Sequence, residues 1–298
     1  MYKDEKHMNK HAYLIMAHKQ PELLNKLLRL LDNEKNDFYV HIDKKSNMDM
    51  THIGKDVSKS NIYFIDRISV NWGGYSQIQC ELNLLKSAVR RNYSYYHLLS
   101  GFDLPLKDSD YIYDFFESNK GKEFISFEKK DVPNIVKERV SLYYPLQEKV
   151  NRKNYFFYGM NKVMIIVEKL LKINRLKNTD LVIQKGANWF DITHDFAEYV
   201  VSKEQEIKNM YKSTFCADEI FLQTLFVNSR FKNNLYYNVY DDNPKQIMRY
   251  IDWNRGNPYV FRENDFNDLI ESEFLFARKF DEDIDEVIID NIYHYLKK

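Results

Sequence analysis

Cysteine is nearly absent: Cys80 and Cys216 are the only two in 298 residues, far apart and in no C-x-x-C spacing. That leaves no ground for a disulfide framework or a structural zinc site, and two buried free thiols are expected. Long apolar runs are also missing. AYLIMA from Ala12 and VMIIV from Val163 fall far short of the ~20 residues a spanning helix needs, and the charged start MYKDEKHMNKH is no signal peptide. A soluble, cytoplasmic protein is expected. Net charge is zero, 44 basic residues against 44 acidic, so no global field recruits nucleic acid or a membrane, and any polyanion site must be a local cluster. Eight glycines and six prolines are too few for disordered linkers, and the length suits one large domain or two small ones. No G-x-G-x-x-G or G-x-x-x-x-G-K-[ST] follows the first strand-like run, which ends Ala17-His18-Lys19-Gln20-Pro21. Dinucleotide and P-loop readings therefore lose most of their support.

What is present is alternation. Residues 12–17, 38–42, 62–65 and 95–99 read as short buried strands; residues 21–31 and 76–89 read as helices with leucine-rich faces. Strands alternating with helices predict an α/β fold with a mostly parallel central sheet flanked by helices. Further on, residues 109–118 read as a helix and 123–127 as extended. Residues 151–177 carry an apolar stripe at Val163, Ile166, Val167, Leu170 and Leu171, read as core-facing. Basic flanks at Arg152, Lys153, Lys169, Lys172, Arg175 and Lys177 leave an alternative, in which the segment rests on an anionic membrane surface or meets a lipid-linked substrate.

Several short motifs carry chemistry. Asp43 closes a strand, where ligands of α/β sheets gather, although an aspartate there also builds turns. Trp72-Gly73-Gly74-Tyr75-Ser76 precedes a helix. Its glycines allow close approach of backbone to a ligand, and helix-start amides can bind a polar group, the plainer alternative being a turn with Ser76 as N-cap. Phe102-Asp103-Leu104-Pro105 offers one acid where an Asp-x-Asp would hold a metal against a diphosphate. Asp108-Ser109-Asp110 has that spacing but stands at a helix start, where capping is expected. A metal-independent site is favoured, and a bound diphosphate would then need cations such as Arg249, Arg255, Arg262, Arg278 and Lys279.

The acids Asp218 and Glu219 open the apolar run IFLQTLFV. In a helix Glu219 would share a face with Leu222, Gln223 and Phe226, a partly desolvated setting that favours proton acceptance. Asp218 is expected to cap or shape the turn.

HIDKKS, WGGYS, YHLLSGFDLPLK, GANWFDIT, CADEIFLQTLF, RYIDW and LFARKFDEDID, in this order, resemble the core-2/I-branching β-1,6-N-acetylglucosaminyltransferase family, which includes peptide O-xylosyltransferases. The resemblance runs from about Ala12 to the C-terminus. It implies a GT-A-type nucleotide-sugar-binding fold without the Asp-x-Asp motif or a metal cofactor, and inverting transfer from a UDP-sugar to a glycan or lipid-linked saccharide. It places the catalytic base on Glu219, with Cys216-Ala217 replacing the family's serine-proline. The diphosphate-binding lysine falls on Lys279, with Arg278 in place of an asparagine, and Arg255 is the nearest candidate for a second diphosphate-binding residue. Asp43 and Trp72 join the donor side. Glu138, Arg139, Trp189 and Asp218 fall on the acceptor side.

One glycosyltransferase domain over 1–298 is expected, its nucleotide-binding part about 12–130 and its acceptor and catalytic part about 131–298. A bacterial, cytoplasmic member with possible peripheral membrane contact fits the chain, and GlcNAc is the preferred donor sugar. Xylosyl, glucosyl or galactosyl transfer is the alternative within the fold, and a non-catalytic carbohydrate-binding or polysaccharide-assembly protein the alternative outside it. A retaining glycosidase fits poorly, because side chains adjacent in a helix point about 100° apart.

Overall fold

The computed structural model describes residues 9–150 and 155–297. The first strands fall where the apolar runs place them: β1 (His11–Ala17), β2 (Asn36–Ile42), β3 (Asn61–Phe64) and β4 (Tyr95–Ser100). With β5 (Leu104–Pro105), β6 (Phe124–Ile125) and β7 (Phe190–Thr193) they lead to a six-stranded sheet of order β3-β2-β1-β4-β7-β6. Strands β3, β2, β1 and β4 are parallel, and β7 runs antiparallel to β4 and β6. The central strands are covered on both faces and so read as continuous apolar runs.

Helices α1 (Pro21–Leu30), α2 (Tyr75–Ala88), α3 (Ser109–Ser118), α4 (Asn134–Ser141), α5 (Tyr155–Leu170), α6 (His194–Ser202), α7 (Glu204–Tyr211) and α8 (Phe221–Val227) follow the strands in the chain. Side chains alternate across the sheet. Leu14, Tyr39, Tyr96 and Leu98 pack with residues of α2, α6 and α8, while Tyr13, Ile15, Phe38, Val40 and Leu99 pack with α1, α3 and the C-terminal helix α10 (Glu286–Leu296). The leucines of α1 at 23, 24, 27 and 28 are fully buried, each contributing roughly 1.5–3 kcal/mol. Strand β7, from the second half, pairs with β4 from the first, so the two expected parts share one sheet.

A second sheet was not legible. Strands β8 (Arg249–Ile251) and β9 (Phe276–Arg278), with α9 (Phe266–Glu271) between them, join β5 in the order β5-β9-β8. At three residues each they are too short to show a period.

Four local expectations change. The extended run 123–127 contracts to Phe124–Ile125. Helix α2 starts at Tyr75 with Gly74 as N-cap, so Ser76 lies inside the first turn. Residues Ala217–Glu219 form a separate 3-10 turn entered through a left-handed Cys216, and Ile220 breaks it from α8. Glu219 therefore does not continue the face of Leu222, Gln223 and Phe226. The stripe on α5 faces outward: Val163, Ile166, Val167, Leu170 and Leu171 are all exposed. No described helix is long and apolar enough to cross a membrane.

Candidate active site

Strands β1, β2 and β4 end side by side at Ala17, Ile42 and Ser100, and the strand order reverses between β1 and β4. Open α/β sheets bind ligands beyond such ends. Asp43, just past β2, accepts from the Lys45 amide at 2.8 Å and the Val70 amide at 3.3 Å. It thus builds its own turn and fastens the Val70 segment to the strand end. The ring of His18, just past β1, lies 5.2 Å from that of Phe102, and the Lys279 ammonium stands 4.8 Å over the same Phe102 ring. Burial holds the His18 imidazole below its usual pKa; Asp43 opposes this, while Lys19, Lys279 and Lys45 add to it. Asp43 and Lys279, far apart in sequence, thus both act on His18 at the strand ends, and His18 is an addition that its own place just past a strand end would also have marked.

From these strand ends the 70–74 segment leads to the acid turn. Lys45 Nζ donates to Asn71 Oδ1 at 2.9 Å. The amide and hydroxyl of Ser76 donate to the Glu148 carboxylate at 2.7 and 2.8 Å. The start of α2 thus faces a carboxylate of the chain itself, which answers the helix dipole. A Cβ on Gly74 would stand 2.7 Å from Glu148 Oε1. Gly73 has φ +70 and accepts from the Cys216 amide at 2.9 Å; a Cβ there would lie 3.0 Å from Cys216 Sγ. Both glycines serve close approach, but to the protein's own groups. Trp72 is 69% exposed and meets Phe215 edge-on at 5.9 Å, beside the acid turn.

At that turn the two acids exchange their expected environments. Glu219 is 37% exposed, and Arg139 of α4 donates to its Oε2 at 3.0 Å. The same guanidinium holds the carbonyls of Phe215 and Cys216, at 3.0 and 2.5 Å. Lys185 stands 3.6 Å from the same Oε2 and also pairs with Glu128. Glu219 is therefore a half-open carboxylate between two cations, not one desolvated by apolar neighbours. Asp218 is the buried acid: its Oδ2 accepts from Gln77 Nε2 at 2.8 Å, and burial, then the Glu219 charge, raises its pKa to about 7. The Cys216 thiol is pushed up to about 12, first by burial and then by Asp218, so it is inert.

Behind Asp218 lies Glu81, fully buried, with neither oxygen hydrogen-bonded among the described residues. Burial, then Asp218, raises its pKa well above the ordinary value. Gln77 and Glu81 stand four apart on α2, hence on one face; among the other polar residues of that helix, which include Gln79 and Asn83, the sequence gives no sign that this face is the buried one. The folded protein keeps the Glu81 proton that the unfolded chain releases above its ordinary pKa of 4.5, so stability is lost as pH rises beyond that value. Glu81→Gln should remove this dependence, stabilising the protein by up to about 1.4 kcal/mol for each pH unit until the folded-state pKa is reached. Unfolding midpoints of both proteins between pH 5 and 8 check this; parallel curves would refute it.

The other expected site residues divide. Glu138 pairs with Lys169 of α5 at 2.8 Å rather than joining the acid turn. Trp189 is 7% exposed, with the guanidiniums of Arg249 and Arg278 at 4.9 and 4.2 Å from its ring, so it offers no open face to a sugar. Arg249 bonds Asp103 at 3.2 Å, and Arg278 approaches the same aspartate at 3.6 Å. Asp103 is thus the buried counter-ion of two arginines. Arg278 is largely buried, which lowers its pKa, with Asp103 opposing; it braces the site from within rather than standing open to a diphosphate. Arg255 already pairs with Asp252 and, at 2.6 Å, with Asp265. Its loop nevertheless adjoins Lys279, because the Phe261 amide donates to the Lys279 carbonyl at 3.0 Å.

Asp108 caps α3, accepting from the Tyr111 amide at 2.8 Å, and Asp110 pairs with Lys35 at the opposite end of β2 from Asp43. His7 and His11 stand four apart in sequence; His7 lies outside the described residues, and His11 is buried in β1 against His97 and Glu117. Among the described residues no group of three or more His, Cys, Asp or Glu side chains gathers to hold a metal.

The family model described as core-2/I-branching enzyme matches residues 11–272. The β-1,3-galactosyl-O-glycosyl-glycoprotein β-1,6-N-acetylglucosaminyltransferase of Bos taurus is 26% identical over 313 residues, covering 96% of this chain and 69% of that protein. Xylosyltransferase 2 of Rattus norvegicus is 23% identical over 310 residues, covering 96% of this chain but 33% of the relative's length. Among solved structures, S. aureus TarS 1-349 aligns at a TM-score of 0.38 with 12% identity, over 74% of this chain and 56% of that one.

Proposed function

Because this chain is a glycosyltransferase of the core-2/I-branching enzyme family, we propose that it transfers a sugar, GlcNAc in the first instance, from a UDP-sugar to a hydroxyl of a glycan or lipid-linked precursor. The transfer is inverting and needs no metal. The observation that carries this reading is that the 70–74 segment, held to Asp43 and Lys45 at the strand ends, also holds the acid turn through Gly73 and Cys216, and so links a half-open carboxylate at Glu219 to the cations Lys45 and Lys279 around His18. A GT-A-type role for the sheet is supported by the position of those cations at the strand-order reversal. The identity to a relative named as an N-acetylglucosaminyltransferase favours GlcNAc, and the xylosyltransferases keep xylose as the second reading.

In this mechanism Glu219 takes the proton of the acceptor hydroxyl as its oxygen attacks the anomeric carbon from the face opposite UDP. The bond from that carbon to the diphosphate oxygen breaks, and its electron pair leaves with UDP. Arg139 and Lys185 hold the base in place. Lys279 meets the charge growing on the diphosphate through a charge-assisted bond. Arg255, from the adjoining loop, takes part only by exchanging Asp252 and Asp265 for phosphate.

UDP release tests the function. The full chain is offered UDP-GlcNAc, UDP-xylose, UDP-glucose and UDP-galactose with saccharide acceptors, with and without chelator. Turnover of one donor, insensitive to chelator, is expected. Loss on chelation overturns the metal-free mechanism, and no turnover of any donor overturns UDP-sugar transfer.

A further inference from the structure

We propose that α5 is an interfacial helix whose outer face, Phe156, Met160, Val163, Ile166, Val167 and Leu170, rests in the headgroup–acyl boundary of an anionic membrane and brings Glu219 to a lipid-linked acceptor. The choice of acceptor rests on the transfer reading above; the membrane contact does not.

The orientation of the helix is the first observation. Phe156, Met160, Val163, Val167 and Leu170 are spaced four, three, four and three residues apart, which places them on one face. That face is outside, with exposures from 39% to 77%. Contiguous exposed apolar surface of this kind marks an interaction site. The inward face is pinned by polar groups instead. Asn161 and Glu168, seven residues apart, are buried; Asn161 Oδ1 accepts from the Leu146 amide at 3.3 Å, and Glu168 Oε2 from the Tyr143 amide at 2.8 Å. Turning the stripe inward would break both bonds and carry the buried Asn161 and Glu168 away from their amide partners, so these polar anchors fix the apolar face outward.

Charge identifies the occupant. The chain as a whole is neutral, yet the one acid of α5, Glu168, faces inward, and the exposed ionisable groups of the helix are Lys162 and Lys169. They stand seven apart along one edge of the stripe, and Lys172 follows the helix, also exposed. Lys162 lies 4.6 Å over the half-exposed ring of Tyr158, a pairing suited to headgroup depth. Apolar face, lysine edge and interfacial aromatic are what a helix lying in an anionic lipid surface presents. A second copy's α5 laid on the same stripe would bring only further lysines to this edge, because its Glu168 faces inward.

Position supplies the link to function. Lys169 pairs with Glu138 of α4, and the next residue of α4, Arg139, holds Glu219. One helix therefore joins the membrane face to the proposed base.

The test is sedimentation of the full chain with phosphatidylcholine vesicles, with and without phosphatidylglycerol, at low and high salt. Binding to the anionic vesicles, weakened by salt, is expected. Val163→Glu with Ile166→Glu should lower it by about tenfold or more, with the unfolding midpoint unchanged because both side chains are exposed. Lys162→Glu with Lys172→Glu should remove the preference for anionic lipid. Equal binding by wild type and variants, or no binding by wild type, overturns the proposal. A wild-type dimer that the Val163/Ile166 variant dissociates, without vesicle binding, assigns the face to a second copy and also overturns it. UDP release is measured separately: vesicle binding without any donor turnover would defeat the transfer reading and leave the membrane contact standing.

Discussion

Glu219→Gln is expected to lower the turnover number of sugar transfer by roughly 10²–10⁴-fold, the usual contribution of a positioned general base, with the donor KM close to wild type. Glutamine has the shape of glutamate, and its carbonyl oxygen can still accept the Arg139 bond that now spans 3.0 Å. What it cannot do is take a proton. Because Glu219 faces the acceptor in this mechanism and Lys279 the donor, the defect should fall on turnover. Asp218→Asn should cost far less. Burial already holds much of the Asp218 population protonated at neutral pH, its pKa being about 7, and an asparagine oxygen can still accept from Gln77. UDP release and product formation by both variants decide between the acids. Wild-type transfer by Glu219→Gln, or a larger loss in Asp218→Asn, would show that the base is misassigned.

Much of the scaffold was legible because its signals are local. Strands β1, β2 and β4 announce themselves as apolar runs, and α3 falls on residues 109–118 as its pattern predicts. Local signals also fixed Asp108 as a cap. What failed depended on partners distant in the chain. The stripe of α5 reads as core-facing because a helical period shows which residues share a face, not which way the face turns. Asn161 and Glu168 settle that through backbone amides of another segment. An unbroken helix would set Glu219 beside apolar neighbours, yet a left-handed Cys216 tied to Gly73 makes a separate turn. Its cations come from Arg139, 80 positions away, and from Lys185. The resemblance puts Trp189 on the acceptor side, but the three-residue strands β8 and β9, which show no period, bring the arginines that cover it.

Those arginines set the second large effect. Arg249→Met is expected to destabilise the protein by about 3–5 kcal/mol, the cost of removing one partner of a buried ion pair. Arg249 and Asp103 are both 0% exposed, although 146 positions separate them, and the guanidinium also donates to the Leu98 carbonyl at 3.0 Å. Methionine fills much of the same volume, so the loss comes from charge rather than from a cavity. The Asp103 carboxylate would keep the Ser100 amide and hydroxyl, at 3.0 and 2.7 Å, but of its two cations only Arg278 at 3.6 Å would remain. For a domain of this size such a loss lowers the unfolding midpoint by on the order of 10 °C. Asp103→Leu removes the opposite charge and should be similarly costly alone, since it leaves two guanidiniums facing each other across Trp189. The double variant should cost clearly less than the sum of the two. Strict additivity would mean the pair is not coupled, and a loss below about 1 kcal/mol would place Arg249 among ordinary surface ion pairs. The same network sets the distance from the sheet end to Lys279, because β9 runs directly from Arg278 into it. A weakened Arg249 variant that remains folded should therefore show its functional defect in donor KM, where Glu219→Gln shows none.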